Sequence, residues 1–330
     1  MKFGPVPVAD AAGTILAHSI ALPKGRLKKG QLLSVDDLDL LRAAGIGEIT
    51  VARLVDYDVD ENTAAARVAR ALIAPGSGLS MTPSTTGRVN VIAEGPGLLI
   101  LDANALHALN AIDPMITLAT LRPFQRVAEG DMVATVKIIS YGVAEAHVAA
   151  AELQGAGTLA LSPPRLKSAT LIQTRIQGSE KLEAKAHNAL ETRLSRLDVS
   201  LTTGQITPHI SIELAEALRT AEGDILFVLT ASATSDMADV GPAALVEAGG
   251  EITHFGLPVD PGNLLFFGHL NGKPVIGLPG CARSPALNGA DWILERIICG
   301  HTPTRAEIAE MGVGGLLKES PARPHPRRKP

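Results

Sequence analysis

Between Thr170 and Leu229 short apolar runs alternate with amphipathic stretches of helical length. Thr170-Leu-Ile-Gln-Thr174 reads as a strand, Glu180 to Leu197 as a long helix and Asp198 to Leu201 as a strand. Ser211 to Ala221 then reads as a helix, and Ile225-Leu-Phe-Val-Leu229 as a strand buried on both faces. A βαβαβ order calls for parallel strands joined by right-handed crossovers, so residues 166 to 300 are expected to form a doubly wound, mostly parallel α/β sheet. The pattern continues with a helix at Val240 to Ala248 and strands at Glu251 to His254, Leu264 to Phe267 and Pro274 to Leu278. A hairpin turn falls at Asn271-Gly272, and Asp291 to Ile298 is the last large helix.

The first half lacks this regularity and reads as a smaller α+β domain, residues 1 to 165, with the boundary at Pro163-Pro164. Ala12 to Ile20 alternates loosely like a strand. Ser34 and Asp37 signal a helix start, Leu38, Leu40 and Leu41 supply its apolar stripe, and Gly45 stands where it should end. A strand at Glu48 to Val51, an alanine-rich helix at Glu61 to Ile73 and a loop at Pro75 to Gly87 follow. Strands are expected at Arg88 to Ile92, Gly97 to Leu101, Ile116 to Leu121 and Met132 to Ile139, with Asp102 capping a helix through Leu109. The α/β domain spans residues 166 to 312, and residues 313 to 330 are a basic, proline-rich tail expected to be disordered or the stump of a linker.

A net charge of -4 and only 3% aromatic residues leave neither a basic stripe nor a stacking platform, so nucleic acid is not an expected partner. Met1 to Pro7 has no apolar signal-peptide core, and no run approaches the roughly 18 apolar residues of a membrane span. The cytoplasm is the expected compartment. Cys281 and Cys299 are too few for a disulfide framework and have no zinc-site spacing. His254 and His269 likewise lack metal-ligand spacing.

In an open α/β sheet ligands gather outside the carboxyl ends of the strands, and three loops here follow strands. The first, Thr230 to Asp239, offers the hydroxyls of Thr230, Ser232, Thr234 and Ser235 to a phosphate. Asp236 and Asp239 can hold magnesium or take a catalytic role, and Asp239, ahead of Pro242, is equally a helix cap. The second loop holds Pro261, Gly262 and Asn263. The third, Gly277-Leu-Pro-Gly280, sets Gly277, Pro279 and Gly280 before a helix, where backbone N–H groups can face an anion, with Arg283 and Ser284 close behind. From the residues alone the ligand is a phosphate-bearing small molecule.

In this order the three loops resemble the molybdopterin-binding MoaB/Mog family, shared by enzymes that adenylate molybdopterin and by MoeA-type proteins that insert molybdenum. Thr230-Ala-Ser-Ala-Thr-Ser-Asp-Met-Ala-Asp239 is similar to the family's T/S-G-G-x-[ST] loop with its following aspartate, at Asp239 here. Asp260-Pro-Gly-Asn263 is similar to its Pro-Gly loop, and Lys273-Pro-Val-Ile-Gly-Leu-Pro-Gly280 to its G-x-P-G-x-P loop. Lys29 to Val51, within residues 1 to 55, resembles a MoeA-type segment, whereas residues 56 to 165 match no motif. The whole chain resembles the molybdopterin-binding half of bacterial proteins in which a nucleotidyltransferase domain follows. The resemblance implies a Mog-like fold that binds molybdopterin, a pterin phosphate, as ligand or substrate, its terminal phosphate lying against Gly277 to Ser284, with Mg2+ at Asp236 or Asp239. It implies a place in molybdenum cofactor biosynthesis, assisting nucleotidyl transfer or molybdenum insertion. The alternative is a scaffold presenting the cofactor to a partner nucleotidyltransferase or apo-enzyme, and a homodimer fits the family. Two positions depart from the pattern: Ala231-Ser232 replaces the paired glycines, and Asn263 stands where MoeA-type proteins have lysine.

Overall fold

The computed structural model describes residues 1–178, 180–260 and 262–317. It divides into two compact units, one of Met1–Gly95 with Leu99–Leu161, the other of Pro96–Leu98 with the chain from Ser162 onward.

In the first unit the helix Val35–Ala43 begins as its sequence signals. Ser34 accepts from the Asp37 N–H, Asp37 accepts from the Ser34 N–H, and Gly45 follows the helix at φ +73°. The next strand, Glu48–Arg53, lies between Lys2–Pro7 and Ile15–Leu16, antiparallel to both. The strand expected over Ala12 to Ile20 is instead two short pieces, Ile15–Leu16 and Ile20–Ala21, because exposed His18 and Ser19 break the alternation between them. A four-stranded antiparallel sheet runs in the order Ile116–Thr120, Met132–Ile138, Arg88–Ala93, Leu79–Met81. The helix Glu61–Leu72 buries Ala64, Ala65, Val68, Ala69 and Leu72 in one core with Val89, Val91, Val136 and Ile138 of that sheet. Its alanines carry little side chain, so helix and sheet approach closely.

Several elements of this unit escape the sequence pattern, among them one strand and one helix. Leu79–Met81, inside the stretch that composition marks as a loop, pairs with Arg88–Ala93 as an edge strand. The helix Glu145–Gly155 buries only Val148, Ala151 and Gly155 and leaves Leu153 exposed. Gly155 fits because a Cβ there would stand 2.9 Å from both Leu72 and Leu109.

The second unit is a mixed α/β structure on a six-stranded sheet. Its order is Ser200–Pro208, Ser168–Arg175, Ile225–Leu229, Lys273–Gly277, Asn263–Leu270, Glu251–Leu257. The first four strands are parallel, and Asn263–Leu270 runs against both its neighbours. Asn271 and Gly272, at φ +50° and +79°, make the hairpin turn that returns the chain, both in the left-handed region that such two-residue turns require. On one face Ile172, Leu226, Val228, Phe266 and Val275 share a core with Leu214, Ala215 and Leu218 of the helix Ser211–Thr220 and with Ala244 and Leu245 of Val240–Glu247. The alternate residues Leu171, Phe227, Phe267 and Ile276 are buried as well, so the central strands are covered on both faces. The strand expected at Asp198 to Leu201 starts at Ser200 and reaches Pro208. Asp198 turns the chain at φ +53°, and the edge position exposes Thr202 and Thr203, which leaves the strand without an apolar run to announce it.

Val313 to Leu317, counted with the tail in the sequence, return to the loop after Leu257. The Asp260 N–H donates to the Gly315 carbonyl at 2.9 Å, and the Leu317 N–H to Asp260 Oδ1 at 3.3 Å. The basic stretch 318–330 and Pro261 lie outside the described residues. Among the described residues no helix is long and apolar enough to cross a membrane.

Candidate functional site

Parallel strands end on one side of a sheet, so the residues just past their carboxyl ends are brought together whatever their spacing in sequence. Thr174 pairs with Thr207, and Gln173 with Leu229, which sets Thr174, Thr207 and Thr230 side by side at that edge. All three are buried, and so is Thr234. Thr174 Oγ1 accepts the Ala231 N–H at 2.8 Å and lies 2.9 Å from His209 Nδ1. Thr230 Oγ1 donates to the Ser232 carbonyl at 2.8 Å and stands 3.2 Å from Thr234 Oγ1. The Thr207 hydroxyl, buried in the same row, has no partner. Thr174, Thr207 and His209 were not marked by any motif; only strand register reveals them.

The first loop resolves the question posed by its missing glycines. No residue from Thr230 to Asp239 has a positive φ. Ala231 and Ser232 are therefore unstrained, and the loop is shaped by hydroxyl contacts in place of left-handed turns. Ser232, Ser235 and Asp236 are exposed, while Asp239 is half-buried. Both Asp239 oxygens serve the backbone: Oδ1 accepts the Val240 N–H at 2.8 Å as the cap of the helix Val240–Glu247, and Oδ2 accepts the Ser235 N–H at 3.0 Å. Asp236 Oδ1 accepts the Ala238 N–H at 2.8 Å. Among the described residues no group of three or more His, Cys, Asp or Glu side chains could hold a metal ion.

The second and third loops meet through the hairpin. Phe266 pairs with Gly277, the last pair of a hairpin whose strands run into the second loop at Asn263 and the third loop after Gly277. Gly277 itself is demanded by packing, since a Cβ there would come within 1.9 Å of the Phe266 ring, which also sits 2.9 Å from a Cβ placed on Gly241. Pro279 precedes a short 3-10 turn, Gly280–Arg283. Gly262, at φ +82°, has open space around its Cβ position. Asn263 is 4% exposed, yet neither its Oδ1 nor its Nδ2 has a partner. A Cβ on Gly289 would lie 3.1 Å from that Nδ2, so the amide rests against the first turn of the helix Gly289–Ile298. The Nδ2 of its cap, Asn288, is also buried without a partner. Unsatisfied buried amides are uncommon, and two of them stand beside this helix N-terminus.

Arg283 reaches back across the edge and donates through Nη2 to the Thr230 carbonyl at 2.8 Å, while its Nε has no partner. Burial pulls its pKa below the ordinary arginine value, but a guanidinium remains charged at neutral pH. The result is a partly desolvated cation joining the first loop to the third. Ser284 accepts the Ala286 N–H on its Oγ at 3.3 Å.

Arg193, on the helix Glu180–Ser195, fixes this third loop and was not among the residues marked by motif. Its Nε pairs with Asp291 at 2.5 Å, Nη1 donates to the carbonyls of Ala189 and Ala282, and Nη2 to those of Ser284 and Ala286. Asp291 in turn accepts the Asn288 N–H at 2.7 Å. Arginine and aspartate are each almost fully buried. One ion pair therefore holds both the loop and the helix cap in place.

A family model described as Domain of unknown function (DUF8806) matches residues 5–53. No curated protein matches the chain. Among solved structures the chain is similar to a molybdopterin biosynthesis MoeA protein from Pyrococcus horikosii, at 14% identity and a TM-score of 0.31, over 94% of this chain and 77% of that one. It is similar to a molybdenum cofactor biosynthesis protein from Pyrococcus furiosus at 13% identity and a TM-score of 0.22, over 84% of this chain and 57% of that one. For a molybdopterin biosynthesis MoeA protein from Pyrococcus horikoshii OT3 the values are 11% and 0.28, over 90% and 74%.

Proposed function

We propose that the second unit is a Mog-like domain that binds molybdopterin, a pterin phosphate, at the carboxyl edge of its sheet, in the cytoplasm, as part of molybdenum cofactor biosynthesis. The observation that carries this reading is the set of unpartnered buried groups at that edge: the Asn263 amide, the Asn288 Nδ2 and the Arg283 Nε. They offer donors and an acceptor to one ligand beside a helix N-terminus, on the loops whose sequence resembles the family's. Phosphate charge is met by Arg283, and the exchange of lysine for Asn263 replaces a second cation with a neutral amide. Magnesium, when bound with the phosphate, would be held by Asp236 first and Asp239 second, because Asp239 already gives both oxygens to backbone N–H groups.

That same use of Asp239 favours the scaffold reading, in which the domain holds the pterin and presents it to a partner nucleotidyltransferase or apo-enzyme. Nucleotidyl or metal transfer would need positioning and charge neutralisation at this edge, with no protein nucleophile. The test is binding of molybdopterin to the purified full chain, with mass spectrometry of material copurifying from a cofactor-producing host. Micromolar binding that weakens by about tenfold or more in Arg283→Ala and in Asn263→Ala is expected, a charge-assisted hydrogen bond being worth about 1.5–3 kcal/mol. Nucleotide turnover dependent on magnesium and on Asp236 would make it an enzyme. Absence of micromolar binding would reject both forms of the reading.

A further inference from the structure

The first unit contains a cavity of about 680 Å³ that none of the sheet-edge loops touches. Its volume is in the range of small-molecule sites, about 300–1,000 Å³. Apolar surface comes from Phe3, Ile139 and the Tyr141 ring, and charge from Lys29, Lys137 and Glu61. Phe3 and Ile139 are exposed at 57% and 58%, so the apolar wall is open to a ligand.

The charged groups are fixed differently. Lys137 Nζ donates to the Thr86 carbonyl at 2.5 Å and stands 3.7 Å from Glu61. Thr86 has φ +48°, a backbone state that a β-branched residue rarely takes, and Gly87 beside it is so close that a Cβ would lie 2.8 Å from Glu61 Oε2. The backbone is thus moulded around the Lys137–Glu61 pair. Glu61 retains 17% side-chain exposure, and burial raises its pKa, while the charges of Lys137 and Lys29 act against that rise. Lys29 lies 5.9 Å from the centre of the Tyr141 ring, whose hydroxyl donates to the Ala17 carbonyl at 2.9 Å. Among the described residues no carboxylate is within ion-pair distance of Lys29. Two lysine ammonium groups therefore face one carboxylate, and since the Met1 ammonium on the same wall is paired with Asp58 at 2.7 Å, these groups leave an excess of one positive charge beside an aromatic and aliphatic wall.

We propose that this cavity binds a small organic anion, a phosphate monoester or carboxylate with a flat apolar body, its acid group between Lys29 and Lys137 and its body against Tyr141, Phe3 and Ile139. Both lysines attract the anion. Glu61 opposes it, sets the position of Lys137 and limits affinity for anions that gain nothing from the apolar wall.

The experiment is calorimetric titration of the full chain with phenyl phosphate, benzoate and inorganic phosphate, repeated on Lys29→Ala, Lys137→Gln, Glu61→Gln and Arg283→Ala. Phenyl phosphate or benzoate should bind more tightly than inorganic phosphate, and whichever is tighter identifies the acid group. Either lysine change should weaken that ligand by about tenfold, whereas Glu61→Gln should tighten it several-fold. Arg283→Ala should leave it unchanged, which separates this site from the sheet edge of the second unit. Lys29 is exposed and, among the described residues, its ammonium is in no ion pair, so its removal tests binding without disturbing the fold. The proposal is overturned if neither aromatic acid binds at millimolar concentration, if inorganic phosphate binds as well as they do, or if the Lys29 change has no effect.

Discussion

At the scale of single residues, the buried polar side chains with an unpartnered atom are few among the described residues, and in the second unit most collect at one sheet edge. Thr207, Asn263, Arg283 and Asn288 are among them. Their neighbour Arg193 is the opposite case, with every N–H donating, most of them into the third loop. Removing one member of a buried ion pair leaves its partner charged and unpaired, typically at a cost of about 3–5 kcal/mol. Arg193→Ala should therefore lower the unfolding free energy by about that amount. Replacing the pair together, Arg193→Met with Asp291→Leu, should recover a large part of the loss. Urea denaturation of the three proteins gives the comparison; a single variant within 1 kcal/mol of the parent, on that same scale, would show that the pair does not organise the loop.

At the scale of elements, the antiparallel strand Asn263–Leu270 shapes the site by inserting one aromatic ring into an otherwise parallel sheet. Phe266 fills the space above Gly277 and against Gly241, so the strand carrying the third loop and the helix following the first loop are both set by one side chain. Gly277→Ala should destabilise the second unit by about 1–3 kcal/mol through overpacking. Phe266→Leu should cost stability alone but partly rescue Gly277→Ala, a non-additive pair in thermal unfolding. Strict additivity would mean that the two positions do not meet. The same contact explains why position 277 requires glycine while positions 231 and 232 do not. Ala231 and Ser232 occupy ordinary backbone states braced by Thr174 and Thr230, whereas a side chain at Gly277 has no room.

At the scale of the molecule, the chain carries two candidate sites of different chemistry, one in each unit. Ligand binding protects the structure that forms the site, by about 2.7 kcal/mol at a hundredfold excess over the dissociation constant. Hydrogen exchange under a pterin phosphate should therefore slow in the segments around 230–239 and 278–291 of the second unit. Phenyl phosphate should slow exchange around 28–31, 61–64 and 137–142 of the first. Protection of the same segments by both ligands would reduce the two sites to one.

Much of the architecture was legible in the chain itself. The capping pairs Ser34/Asp37 and Asp102, the apolar run Ile225–Leu229, the helix Ser211–Thr220 and the Asn271-Gly272 turn are local signals, because each depends on backbone geometry within a few residues. The helix Glu145–Gly155 and the polar edge strand Ser200–Pro208 were not legible, since their places are set by neighbours and not by a strong apolar period of their own. The sequence by itself determined the strand–helix order and pointed to three loops through residue type and spacing. Only the tertiary structure decided which groups meet there, Thr174 beside Thr230, Arg283 on the Thr230 carbonyl and Arg193 beneath the third loop, and, in the first unit, which charges share a cavity, Glu61 with Lys137 and Lys29. Those contacts arise from sheet register and burial, which join residues by distance in space and leave no fixed interval in the sequence.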